Sequence, residues 1–422
     1  MWDEGDAATR RGEYESALRQ YEAARRVTED GEARWYVHTA QCSLYRGEFE
    51  AGIHRAGAGL RQRWATGPLG AQLLAVRALC HAAAGRPGLG AADVEQARAQ
   101  PELDAATRAM IERAAGTVAL VEGDAAAAYT AFLRAHDDVD ETDTWRRSIA
   151  QYNLAEASFE LGELTDAHRY LDLAEAAKRE ANDVWGLAYL HRVRARCCLA
   201  VGSIVEAIAS CRLGLMFAQR IDDPRIQSAL LVTLGQLAAL NGDFATARRA
   251  GEQGVSLARR CNAIPELIAA TLSLAEADLL AGELPDAMGR ARWAHAHATA
   301  HGLERGVALG GLTEVLASFR PTEALIEAAL GHASALANPF ERMEAEVRLL
   351  WWQARHGMEP AARDVGRLLA ETKKRGAMRL HALCRVTKAA EVAGECEATL
   401  RLLGCDPEAD QVGAFAEGDD SP

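Results

Sequence analysis

Small and apolar residues recur along this chain on one face of successive helices, each helix introduced by a glycine. The stretch "RGEYESALRQYEAA" (Arg11 to Ala24) reads as a turn followed by one amphipathic helix, and "NGDFATARRAGEQG" (Asn241 to Gly254) repeats it. Aligned on that glycine, the pattern returns at Gly12, Gly47, Gly85, Gly123, Gly162, Gly202, Gly242 and Gly282, in steps of 35, 38, 38, 39, 40, 40 and 40 residues. Seven residues before each glycine stand Gly5, Ala40, Ala78, Gly116, Ala155, Ala195, Gly235 and Ala275. Five after stand Ala17, Gly52, Gly90, Ala128, Ala167, Ala207, Ala247 and Ala287, and twelve after stand Ala24, Gly59, Ala97, Ala135, Ala174, Gly214, Gly254 and Ala294. All three columns hold only Ala or Gly.

Two antiparallel helices approach closely where a methyl group or a hydrogen replaces a larger side chain, so each period is predicted to be an αα-hairpin of helix A, turn and helix B. The glycine permits the positive φ that a helix C-terminus needs. Breakers about halfway between glycines, at Pro101, Asn182-Asp183, Asp222-Asp223-Pro224 and Pro265, end helix B and start the next helix A. Sustained strand-like alternation is absent. The expected fold class is all-α, a solenoid of about 10–11 hairpins.

After Gly282 the pattern loosens. "SFRPTEALIEAALGHA" is predicted to turn at Arg320-Pro321 without a glycine; Gly357 keeps Ala362 in one column but places Leu350 and Leu369 in the others, and the match at Gly394 is weaker still. Degenerate end repeats suit a solenoid that must cap its apolar face. Residues 1–300 are expected to form regular repeats, 301–405 degenerate capping repeats of the same solenoid, and 406–422 an acidic disordered tail.

Charge narrows the partners. With 47 basic and 60 acidic residues the net charge is −13, which repels nucleic acid phosphate and anionic lipid, so neither is expected as a direct partner. The nine cysteines are odd in number, lack a Cys-x-x-Cys and often stand where neighbouring helices carry Ala or Gly; this suits buried thiols in a reducing compartment. "MWDEGDAATRRG" has no apolar core for a secretory signal, and no run approaches the roughly eighteen apolar residues of a membrane span. A cytoplasmic location is expected.

Catalytic motifs are absent: no phosphate loop, no His-Glu-x-x-His and no Gly-x-Ser-x-Gly occurs. "GRPGLG" (Gly85 to Gly90) coincides with a hairpin turn. In "HAHATAH", His297 and His301 share a helix face but His295 points away; a metal would need further ligands, so the stretch reads as the solvated end of a helix B. No catalytic, cofactor or metal residue is assigned, and no cofactor is expected. Cys197-Cys198 is expected to be buried, and Trp145 and Trp185 to pack. Trp351-Trp352 either covers the last hydrophobic face or forms an exposed contact.

Gly12, Tyr14, Ala17, Tyr21 and Ala24, echoed by Gly123, Ala128, Phe132 and Ala135, resemble the tetratricopeptide repeat (TPR), well over residues 1 to about 300 and loosely to 405. The longer period departs from the usual 34 or so residues. It is similar to the arrays of bacterial maltose-regulator-type activators and of repeat regions attached to signalling kinases, although no ATPase, kinase or helix-turn-helix part is visible.

The resemblance implies a right-handed superhelix whose A helices line a concave groove, with the positions nine and six before the turn glycine facing a ligand. These are His38 and Gln41, Val76 and Leu79, Ala114 and Thr117, Asn153 and Glu156, Val193 and Arg196, Thr233 and Gln236, and Ser273 and Glu276; Tyr152 and Arg192 lie one residue earlier. Asn153 matches the groove asparagine that holds a ligand backbone or carboxylate. Arg192 and Arg196, four apart, could grip a carboxylate or phosphate together, or pair with acids of neighbouring repeats such as Glu156. The expected function is a non-catalytic scaffold for a protein or peptide in bacterial signalling or regulation, an acidic or C-terminal segment docking across the fifth to seventh hairpins. The alternative is a ligand- or peptide-sensing module working with a separate effector. Reversing both arginines should then cost binding and leave thermal stability nearly unchanged.

Overall fold

The computed structural model describes residues 1–27, 31–318, 322–356, 358, 362–377, 379–380, 383–384, 393–403, 405, 408–410 and 412. Every regular element among them is an α-helix. Helices α1 (Trp2–Arg10) and α2 (Tyr14–Arg25), α3 (Gly31–Tyr45) and α4 (Phe49–Leu60), and α5 (Gly67–Ala83) and α6 (Pro87–Arg98) are the first three hairpins. Helices α7 (Ala105–Glu122) and α8 (Ala125–Asp137), then α9 (Thr144–Leu161) and α10 (Leu164–Glu180), follow. The next three pairs are α11 (Val184–Val201) with α12 (Ile204–Arg220), α13 (Pro224–Leu240) with α14 (Phe244–Arg260), and α15 (Ile264–Leu280) with α16 (Leu284–Ala300). The last are α17 (Glu304–Leu316) with α18 (Glu323–Ser334) and α19 (Pro339–Arg355) with α20 (Ala362–Lys374), followed by α21 (Ala393–Leu402). Odd numbers through α19 are A helices and even numbers through α20 are B helices.

All eight turn glycines adopt positive φ, between +74° and +87°. At Gly162, its own N–H donates to the Phe159 carbonyl (2.9 Å) and the Glu163 N–H to the Ser158 carbonyl (2.8 Å), so a Schellman cap satisfies the last carbonyls of helix A. The opposite turns carry their own left-handed residue at Asn182, Asp222, Asn262 and Gly302, forty apart, with φ from 48° to 65°. The three small-residue columns are buried in every period. A Cβ at Gly5 would lie 2.4 Å from Tyr21, and one at Gly116 the same distance from Phe132, so hydrogens there let the B-helix aromatic ring lie against helix A.

The chain divides into two compact units. Unit 1 comprises Met1–Val193, Leu213–Gln227 and Arg260–Ile264; unit 2 comprises Arg194–Arg212, Ser228–Arg259 and Pro265–Pro422. Within unit 1 the first two hairpins meet much later residues. The Arg10 guanidinium lies 5.0 Å over Trp145, Tyr45 is 4.8 Å from Trp185, and Gly12 abuts Ile221. Trp145 and Trp185 therefore pack, as expected. Within unit 2, Gly202 lies beside Arg379 and Leu403.

Trp351 and Trp352 are both buried, and Trp352 joins the core of α17, α18 and α19, which resolves the choice between cover and contact site. Cys197 is buried but Cys198 is only half-buried, because adjacent helix positions face differently. Within the segment 406–422 expected to be a disordered tail, Glu408, Ala409 and Val412 are helical and buried. Asp410 between them is exposed, and the remaining residues from 406, with Arg320, Pro321 and Gly357, lie outside the described residues. No described helix is long and apolar enough to cross a membrane.

Candidate functional site

In unit 1 the expected groove residues of α9 meet Arg192 in the first half of α11. The Tyr152 hydroxyl donates to Glu156 Oε2 at 2.9 Å, and Arg192 reaches the other oxygen of the same carboxylate from the next A helix. Burial pushes the Tyr152 phenol well above its ordinary range, and the Glu156 charge pushes it further. Burial alone would lower the Arg192 guanidinium, but Glu156 and Tyr152 outweigh it and hold it protonated. Asn153 is only 8% exposed, and its Nδ2 has no hydrogen-bond partner among the described residues.

Other expected groove positions of unit 1 are already engaged. His38 Nδ1 lies 3.1 Å from Asp6 Oδ1, and its ring stacks on Trp2 and Tyr21. Burial raises the Asp6 carboxyl, yet the His38 bond and charge win and lower it. Gln41 is half-buried, its amide 4.0 Å from the Met110 sulfur. Thr117 donates to the Arg113 carbonyl. Val76, Leu79 and Ala114 are buried apolar positions.

In unit 2 the same face is filled by a polar stripe of α19. Arg196 contacts Glu341 at 3.5 Å, and Arg305 grips that carboxylate with two bonds of 2.6 and 2.8 Å. Burial raises the Glu341 carboxyl, but Arg305 and then Arg196 overcome it and hold it at about 2. Gln236 donates to Glu276 (3.0 Å), whose other oxygen accepts from Arg348 (2.7 Å). Arg348 also bonds Glu344 (2.6 Å), which Arg379 shares. Thr233 donates to the Ala229 carbonyl at 3.3 Å.

Arg192 and Arg196, expected as possible joint carboxylate ligands, are thus claimed separately, by Glu156 in unit 1 and Glu341 in unit 2. The alternative of pairing within the repeats holds for Arg192. Reversing both would set new carboxylates against half-buried ones, so the expectation of nearly unchanged stability is withdrawn. Sequence reasoning missed Glu341, Glu344 and Arg348; their spacing of three and four along α19 was the available signal.

No described group of three or more His, Cys, Asp or Glu side chains is placed to hold a metal. His297 and His301 each turn Nδ1 to a backbone carbonyl four residues earlier at 2.8 Å, while His295 bonds Glu314 at 2.7 Å. Burial pushes the Cys42 thiol up to about 11 and that of Cys80 to about 12, which leaves both as neutral packing groups.

No family model and no curated protein matches the sequence. Solved structures do match. A Rap protein complexed with Competence and Sporulation Factor aligns with a TM-score of 0.66 at 12% identity, over 82% of this chain and 98% of that one. Aspartyl phosphate phosphatase F from Bacillus subtilis gives 0.51 at 11% identity, over 84% and 96%. A signal transduction ATPase with a tetratricopeptide repeat sensor from Pyrococcus horikoshii gives 0.44 at 14%, over 86% and 53%. The fold is a TPR-like αα-hairpin solenoid.

Proposed function

We propose that this chain is a non-catalytic scaffold of bacterial signalling or regulation that takes up a protein or peptide segment on its A-helix faces. The observation that carries the reading is Asn153, a buried amide with an unspent donor between Tyr152 and Glu156 on an A helix. A buried donor without a partner is costly, and a peptide carbonyl laid along the face would satisfy it. Glu156, Arg192 and Tyr152 hold the neighbouring polar surface in one geometry. The likeness in fold to a Rap protein complexed with Competence and Sporulation Factor supports the reading that such a solenoid can take up a partner.

The test is selection of displayed random peptides on the wild-type chain, followed by affinity measurement on Asn153→Ala. Selected peptides should bind the variant at least tenfold more weakly, about 1.4 kcal/mol, while its thermal melt stays close to wild type. Failure to enrich any peptide, or binders indifferent to Asn153→Ala, would overturn the reading.

A further inference from the structure

The ladder of groove residues in unit 2 ends on Arg379, which is 4% exposed and faces two carboxylates. One is Glu344 of α19; the other is Glu408, 5% exposed, whose Oε1 accepts from Arg379 Nη1 at 2.5 Å. Glu408, Ala409 and Val412 are all buried, at the i, i+1, i+4 spacing of one helix face, whereas Asp410 is exposed and bonds Arg401. The chain's own segment is an imperfect occupant. Glu408 Oε2 has no hydrogen-bond partner among the described residues, and burial raises its carboxyl despite Arg379. A guanidinium can bind a carboxylate through two parallel bonds, and this contact uses one.

We propose that Arg379, backed by Glu344 and Arg348, is a docking point for a partner's helical turn carrying Glu, a small residue next to it and a β-branched apolar residue four positions after the Glu. Glu408, Ala409 and Val412 hold that point until the partner segment displaces them. This rests on the reading of the A-helix faces as the binding surface and names the partner chemistry in unit 2. The occupant fits because the native segment shows the shape and charge that the point accepts.

The probe is a fluorescent peptide with the sequence of residues 405–413, measured by anisotropy against three proteins: the wild-type chain, a chain ending at residue 404, and full-length Glu408→Lys. The peptide should bind the shortened chain and Glu408→Lys at least tenfold more tightly than wild type. Replacing the peptide's Glu by Gln should cost at least tenfold. Should the shortened chain fail to fold by circular dichroism, Glu408→Lys decides alone. Equal affinity for wild type and Glu408→Lys, or indifference to the peptide's Glu, overturns the proposal. Asn153→Ala should leave this affinity unchanged, so failure here and failure of the wider reading are separable.

Discussion

Lys178 Nζ and Asp183 Oδ2 meet at 3.1 Å with both side chains almost wholly out of water, in space that a Cβ on Gly186 would invade at 2.5 Å or less. The pair spans the turn from α10 to α11, and the other oxygen of Asp183 caps α11 by accepting from the Gly186 N–H at 2.8 Å. Removing one member of a buried pair strands the other charge, so Lys178→Ala should lower unfolding free energy by about 3–5 kcal/mol. Gly186→Ala should cost about 1–3 kcal/mol by overpacking. Urea denaturation measures both. A loss under about 1 kcal/mol for Lys178→Ala would mean that the lysine is solvated in the folded protein.

The small columns and the open helix glycines should respond in opposite directions. Ala207→Leu and Ala247→Leu insert bulk where the native methyl is already buried, and each should destabilise by about 1–3 kcal/mol. Gly289, inside α16, has nothing within 4 Å of where a Cβ would go. Gly289→Ala should therefore stabilise by about 0.5–1 kcal/mol through helix propensity. Destabilisation by Gly289→Ala would show that this face of α16 is covered in solution.

Two turn glycines separate backbone strain from crowding. Gly12 and Gly123 both have positive φ, +76° and +85°, so alanine at either carries a cost of about 1–2 kcal/mol. Only at Gly12 would the added Cβ also meet Ile221, at 2.3 Å, whereas Gly123 opens onto empty space. Gly12→Ala should be the more destabilising in thermal melts. Equal losses would mean that the Gly12–Ile221 contact opens in solution.

Acid should loosen unit 2 through Glu341. Its carboxyl is held at about 2 in the fold against an ordinary value of 4.5. A depressed folded value stabilises above the unfolded one, so the contribution is complete above about pH 5 and is lost as pH falls towards 2. Its size is on the order of 3 kcal/mol. Denaturation of wild type and Glu341→Gln from pH 7 to pH 3 should give a steeper acid limb for wild type. Parallel limbs would assign the acid sensitivity elsewhere.

What could be read in the sequence was periodic and local. Gly12 through Gly282 were legible because each turn needs a left-handed residue, and the small columns because each helix crossing needs close approach. Asn182 and Asp222 were found as breakers. Asn262 was passed over for Pro265, although it repeats their forty-residue interval and Asn tolerates the same conformation. The candidate face was harder. Gln236 and Glu276, one period apart in one column, have complementary chemistry that the sequence displays. Arg196 and Glu341 are 145 residues apart, and no periodicity in the helices between them announces that contact. Glu408 was hidden for another reason: an acidic, small-residue composition describes a solvated tail equally well until its buried face is known.

The left-handed residues at 182, 222, 262 and 302 give each forty-residue module the same backbone at both ends. Excising residues 223–262 would rejoin one left-handed turn to another with little local penalty. The span from Arg196 to Glu341 would nevertheless shorten by a whole module, and Gly202 would lose its register with Arg379. Local geometry thus leaves the number of modules open, while these distant ties count them. An array built this way should resist the insertions and deletions that ordinarily lengthen or shorten repeat proteins.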